Sequence, residues 1–433
     1  MINKVSVFWF RRDLRLKDNV GLYHALSAGG SVLPIFIFDN NILSRLANQQ
    51  DRRVDYIHQA LTQLQQQLQA VGTCLQTFQG DPIEIFQLLE RKYDLQAVYC
   101  NRDYEPQTIA RDTAIYTYFR QKDIPFRSFK DHVIFEKANI LKNDGSPYTV
   151  YTPYAKKWKE RLDVADYRVY HPDYSNFLQQ EYIPIPSLEK IGFEKTDLTF
   201  EFPKLDERIV RAYDTWRDYP AKEGTTRLGM ALRFGTISVR QCVAFALQHS
   251  VVWLNELIWR EFFIQILYHF PRVVQQSFKA KYDTIPWRND EEAFERWCEG
   301  KTGYPFVDAG MRELNQTGNM HNRVRMIAAS FLCKHLLIDW RWGEAYFAQK
   351  LNDYELAANN GNWQWAAGSG CDAAPYFRVF NPTIQMNKFD KGFVYINKWL
   401  PDWGTAAYPK PIVEHAFARN RALEMYGKAL QET

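Results

Sequence analysis

The chain has 433 residues, more than one hydrophobic core usually organises, so two domains are expected. With 54 Lys and Arg against 50 Asp and Glu the net charge is +4, which admits a polyanionic partner without requiring one. No apolar run approaches the roughly 18 residues of a membrane span, and the 6 cysteines and 9 histidines are scattered without a C-x-x-C or H-E-x-x-H pair. A soluble, cytoplasmic protein is therefore expected, with no metal and no disulfide framework; a monomer is the simplest expectation.

In chain order, Val5 to Phe10, Val32 to Phe38, Cys74 to Phe78 and Ala97 to Cys100 read as strands, being short, apolar and bounded by turn formers. Between the second and third, Val54, Ile57, Leu61, Leu64, Leu68 and Val71 step by three and four, which is one face of a helix. Asp81, Pro82 and Glu84 read as an N-cap, a first-turn proline and a capping-box acid opening another helix through Leu89. This alternation predicts an α/β domain over 1–131, a doubly wound parallel sheet of Rossmann-like type. It carries neither G-x-G-x-x-G nor a P-loop, which disfavours a dehydrogenase or kinase. Residues 132–200, rich in proline, tyrosine and charge as in NDGSPYTVYTPYAKKWKE, read as a long linker. From 201 to 433 helical periods dominate and an all-α domain is expected.

Three segments of that second domain concentrate polar and aromatic residues. In WLNELIWREFF, Glu256, Trp259 and Arg260 share one helical face, which suits a planar, hydrogen-bonding, anionic partner. The same pattern also fits an amphipathic helix with a core Trp and solvated charges. In GNMHNRVRMIAASFL, Asn322 and Met326 share a face flanked by Arg323 and Arg325; a turn-capping role for His321 and Asn322 is the structural alternative. The stretch LNDYELAANNGNWQWAAGSGCDAAPYFRVFNP packs acids, adjacent asparagines, W-x-W and glycines into some thirty residues, more than packing alone explains. Thirteen tryptophans fit either a heavily packed core or stacking and electron transfer.

Together with WFRRDLRLKDN, EGTTRLGMALRFGTIS and WCEGKTGYP, these segments resemble the photolyase/cryptochrome family over nearly the whole chain. The similarity is greatest to bacterial class I cyclobutane pyrimidine dimer photolyases. It implies an α/β antenna domain, a linker and a helical domain that binds FAD and the DNA lesion. The activity implied is light-dependent repair of pyrimidine dimers, a carbon-carbon lyase reaction in which photoexcited reduced FAD lends an electron to a flipped-out dimer. By the resemblance, Tyr213, Thr225, Thr226, Arg227, Leu228, Gly229, Trp253, Asp353, Tyr354, Glu355 and Asn359 bind FAD. Glu256, Trp259, Arg260, Asn322, Arg323, Met326, Trp365 and Gln385 receive the lesion, with Arg217 and Arg378 as further phosphate contacts. Glu256 and Asn359 act in catalysis, Asn359 as a neutral amide beside the flavin, and Trp363, Trp340 and Trp287 form a chain for electrons.

The sequence departs from the family pattern in four places. Gly229 stands for a serine and Glu355 for an aspartate, and both FPRVVQQSFKAKYD and EPQTIARD lack the residues that hold a folate antenna. A second chromophore would therefore be a deazaflavin, a flavin or a folate held differently, if there is one. A cryptochrome photoreceptor and a 6-4 photoproduct photolyase are the alternative functions. The first is disfavoured because the chain ends soon after YPKPIVEH, without a long tail. The second is disfavoured because Met326 stands where a second pocket histidine is expected.

Overall fold

The computed structural model describes residues 3–431; Met1, Ile2, Glu432 and Thr433, the extreme ends of the two expected domains, lie outside the described residues. The chain forms two units: 1–139, 161–205 and 227–248 make the first, and 140–160, 206–226 and 249–433 the second.

In the first unit the strands β1 (Lys4–Phe10), β2 (Ser31–Asp39), β3 (Gln76–Gly80), β4 (Asp94–Asn101) and β5 (Phe126–Phe129) pair in parallel in the order β3-β2-β1-β4-β5. The fifth strand was not expected; FRSF is only four residues long and partly exposed, too short for a periodic signal. Helices α1 (Val20–Ser27), α2 (Arg52–Gln69), α3 (Pro82–Lys92) and α4 (Pro106–Arg120) connect the strands. Val54, Leu61, Leu64 and Leu68 of α2 are buried in the apolar cluster on one face of the sheet. Asp81 caps α3 by accepting from the Ile83 amide at 2.8 Å. The central strands are apolar along nearly their whole length, as a sheet covered on both faces requires.

Residues 227–248, expected in the helical half, belong to this first unit. Electrostatics explains why. The Arg240 guanidinium donates to Asp18 at 3.0 Å and to Asp131 at 2.8 Å, while Arg15 donates to Asp131 at 2.7 Å, all of them buried. Burial opposes the charge of Asp131, yet Arg15 and Arg240 overcome it and hold the carboxyl well below the usual carboxylate range.

The second unit is helical. Its main elements are α5 (Tyr151–Arg161, of which 151–160 lie in this unit), α6 (Val251–His269), α7 (Pro305–Thr317), α8 (Asn322–Ser330), α9 (Trp340–Lys350), α10 (Leu356–Ala367), α11 (Pro382–Phe389) and α12 (His415–Gln431), with further short helices and turns between. Helix α10 packs against α6, α8 and α9 and so runs through the middle of the bundle. The approach of α9 to α10 is close because position 343 is glycine. A Cβ there would lie 2.1 Å from the ring of Trp363. Among the described residues no helix is long and apolar enough to cross a membrane, and no group of three His, Cys, Asp or Glu residues is placed to hold a metal ion.

Candidate active site

A cleft opens in the second unit between α8, α9 and α10. Its walls include Asn322 and Met326 from α8, Phe347 from α9, Asp353, Tyr354 and Glu355 from the connecting turn, and Asn359, Trp363 and Trp365 from α10. Eight residues that the sequence assigned to cofactor, electron transfer or lesion thus line one space: Asn322, Met326, Asp353, Tyr354, Glu355, Asn359, Trp363 and Trp365. The spacing along α10 explains part of this, since Asn359 and Trp363 are four residues apart and fall on one face.

The floor is electrostatically ordered. Asn359 donates its amide N–H to the Glu344 carboxylate at 2.8 Å and to the Glu344 carbonyl at 3.0 Å. With Nδ2 committed, Oδ1 is the atom left to accept from a ligand in the cleft. Glu344 was missed from the sequence, because one acid on a helix four residues after Trp340 has the same signature as any solvated face. Burial raises its carboxyl above the ordinary value, against the pull of the Asn359 hydrogen bond.

Two arginines close the acidic side. Arg325 donates to both oxygens of Asp353 at 3.1 and 3.0 Å, and Arg260 forms a two-pronged pair with Glu355 at 3.0 and 3.1 Å. Arg260, which the sequence placed among the lesion-binding residues, therefore pairs with an acid of the expected cofactor set. A fork of this geometry fixes the orientation of the Glu355 carboxylate.

The remaining lesion residues lie outside the cleft lining. Glu256 receives a hydrogen bond from Arg217 at 2.5 Å, with both side chains about one-third exposed. Burial lifts the Glu256 carboxyl above its ordinary value and Arg217 pulls it back. Arg323 pairs with Asp218 at 2.6 Å and lies over the Phe389 ring. Trp259 stacks face to face on Tyr151 with centroids 3.6 Å apart and 5° between planes. Tyr151 is itself fixed, its hydroxyl donating to the Asn255 carbonyl at 2.9 Å. It was also missed; YTVYTPYAKKW reads as linker until α5 folds back on α6. Gln385 sits in the first turn and a half of α11, whose N-cap Asn381 accepts from Thr383 and Ile384.

Of the expected electron chain, Trp363 lines the cleft and meets Trp297 edge-on at 6.0 Å and Phe347 at 4.9 Å. Trp340 is buried in the same apolar cluster, against whose edge Trp287 packs. Trp287 in turn lies against Tyr426 at 5.9 Å. Of the expected cofactor residues, Trp253 is buried on α6, while Tyr213, Thr225 and Thr226 fall in the second unit and Arg227, Leu228 and Gly229 in the first.

The donor set suits a flat heterocycle with a hydrogen-bonding rim. Indole, phenol and thioether groups line the cleft beside amides and fixed ion pairs, a mixture able to cover the faces of a flat ring and to meet its polar edges. A doubly wound unit accompanied by a helical unit with such a cleft defines a class of two-part, cofactor-binding proteins. Comparison with known proteins gives the family. The chain matches the model for the FAD binding domain of DNA photolyase over residues 253–407 and the DNA photolyase model over 6–173. It is 37% identical to the deoxyribodipyrimidine photo-lyase of Escherichia coli K12, covering 97% of this chain and 98% of that one. With the Synechococcus protein of the same name it shares 36% identity, covering 98% and 96%. Among solved structures, a bacterial class III photolyase from Agrobacterium tumefaciens aligns with a TM-score of 0.89 at 33% identity, covering 100% of this chain and 98% of that one. An archaeal photolyase from Sulfolobus tokodaii, with two FAD molecules, aligns with a TM-score of 0.86 at 33% identity, covering 98% and 100%. The chain belongs to the DNA photolyase family.

Proposed function

We propose that this protein repairs cyclobutane pyrimidine dimers in DNA under near-ultraviolet or blue light. The observation that carries the reading is the cleft itself. Asn359, Trp363, Asp353 and Glu355 line it together with Asn322, Met326 and Trp365, and Arg325 and Arg260 fix the two acids. The full-length likeness to deoxyribodipyrimidine photo-lyases supports it. FAD, when bound reduced and excited by light, supplies the electron that opens the cyclobutane ring and recovers it afterwards.

The chain's own residues supply the rest. Glu344 holds Asn359 so that a neutral acceptor, not a second anion, faces the cofactor's edge. Trp363 and Trp365 exclude water and so strengthen every hydrogen bond made in the cleft. Glu256 offers a hydrogen-bonding carboxyl to the dimer carbonyls, and Trp259, held flat by Tyr151, gives an apolar wall. A lesion reaches this space by leaving the duplex, which costs least where pairing is already weak. Trp340 and Trp287 serve to carry an electron inward when the cofactor must be reduced. The two-FAD relative supports a second, light-gathering chromophore here as well. A monomer in the cytoplasm completes the reading.

The decisive experiment pairs an absorption spectrum of the purified protein with repair of a defined dimer in light and in darkness. A flavin spectrum with light-only repair is expected. A colourless protein, or repair of 6-4 lesions but not of dimers, overturns the reading. Glu256→Ala is expected to lower the yield of repair more than it lowers affinity; equal losses count against its hydrogen bond to the dimer.

A further inference from the structure

Between α8 and α9 the chain makes a widened π-helical turn, Phe331–His335, followed by Leu337 with φ of 52°. Such turns and left-handed side-chain-bearing residues cost energy and mark places where a side chain has been re-aimed. Here the re-aimed side chain is Lys334. It is 1% exposed, and its ammonium donates to the backbone carbonyl of Arg378 at 2.8 Å. A carbonyl, not a carboxylate, meets this buried charge, a costly arrangement where an apolar side chain would have served stability better.

Arg378 lies in the loop 371–381, which runs from beyond α10 to the cap of α11. The loop is tied down at two other points: Asp372 accepts from the Tyr151 amide at 3.0 Å, and Tyr376 stacks on Tyr426 with 9° between planes. Between these anchors and α11 it turns outward, with Arg378 exposed and Phe377 61% exposed. Besides the Lys334 contact, the outward part is held by hydrogen bonds within the loop, Arg378 N–H to the Pro375 carbonyl at 2.9 Å and Val379 N–H to the Phe377 carbonyl at 3.1 Å, and by Phe380, which packs on the core with the Arg378 guanidinium over its ring.

We propose that Lys334 is a positioning residue for DNA binding: its buried ammonium holds the Arg378 carbonyl so that the Arg378 guanidinium is presented to a phosphate of the damaged strand. The inference rests on the reading that this protein binds dimer-containing DNA. The groups that face Lys334 are Cys333 and His335 on its own turn and the Arg378 guanidinium from the loop; α12 brings His415, Arg421 and Tyr426 to the same turn. Burial first, then Arg378, pushes the lysine down to about 8. A phosphate arriving at Arg378 favours the ammonium form, so affinity falls as pH rises through that value.

The test measures the affinity of the flavin-bearing protein for a duplex with one cyclobutane dimer between pH 7 and 9, for wild type, Lys334→Met, Arg378→Gln and the double variant. At pH 7, Lys334→Met is expected to bind about tenfold more weakly, the scale of one lost charge-assisted contact, with the repair yield of saturated enzyme unchanged. Wild type is expected to lose a similar factor by pH 9, and both single variants to be flat. The double variant should bind no more weakly than Arg378→Gln. Normal binding by Lys334→Met, additive losses, or a pH dependence that survives in Arg378→Gln overturns the inference. Should Lys334→Met not fold, the wild-type and Arg378→Gln titrations decide it alone. Wild type that neither binds nor repairs dimers overturns the functional reading instead.

Discussion

At the residue scale, the most consequential contact is the hydrogen bond from Asn359 to Glu344. It turns a freely rotating amide into one with a defined acceptor face, at the expense of burying a carboxyl whose proton affinity is raised. Asn359→Asp would set a second carboxyl against the first. One of the pair would then stay protonated, or the site would carry extra negative charge, at a cost of roughly 1–4 kcal/mol. The expected outcome is a lower reduction potential of the bound flavin, checked by spectroelectrochemical titration; an unchanged potential places the amide away from the ring. Glu344→Gln is expected to have a smaller effect, because the Glu344 backbone carbonyl still accepts from Asn359.

At the scale of elements, the buried Asp18–Arg240–Asp131–Arg15 network draws a helical segment far along the chain into the first unit. Replacing Arg240 by Met leaves Asp18 without its ion pair and Asp131 with one arginine in place of two. The expected loss is about 3–5 kcal/mol, the usual consequence of an uncompensated buried charge, read as a lowered unfolding midpoint of this unit. The sign of the pH dependence follows from Asp131. Its carboxyl is held below the unfolded value, so its contribution is fully present above the ordinary carboxylate range and is lost as pH falls below it. Acid unfolding that begins at a higher pH in Arg240→Met than in wild type checks this.

For the whole molecule, two properties depend on the chain acting as a repair enzyme. On the proposed reading the buried indole of Trp340 serves only the inward electron, so Trp340→Phe should block photoreduction of the flavin and spare repair by enzyme reduced beforehand. Loss of both activities would make Trp340 a packing residue, and transient absorption with a repair assay separates the cases. Affinity for dimer-containing DNA should fall with salt, the logarithmic slope being about −0.9 for each phosphate engaged. A modest net charge of +4 means that this slope reports local arginines and not a general positive field.

Much of the architecture was legible in the chain alone. Four strands and the face of α2 follow from periodicity, which is local and needs no partner to be read. Asn322 and Met326 are placed on one face because residues four apart on a helix share a face whatever surrounds them, and both line the cleft. Tertiary structure decided the rest. That Arg260 serves Glu355, that Glu344 orients Asn359, that Tyr151 flattens Trp259 and that Arg240 recruits 227–248 to the sheet unit all depend on pairings across 15 to 222 residues. A charge or an aromatic ring looks the same in sequence whether it meets water or a partner. Only the folded chain brings the partner within reach and removes the water.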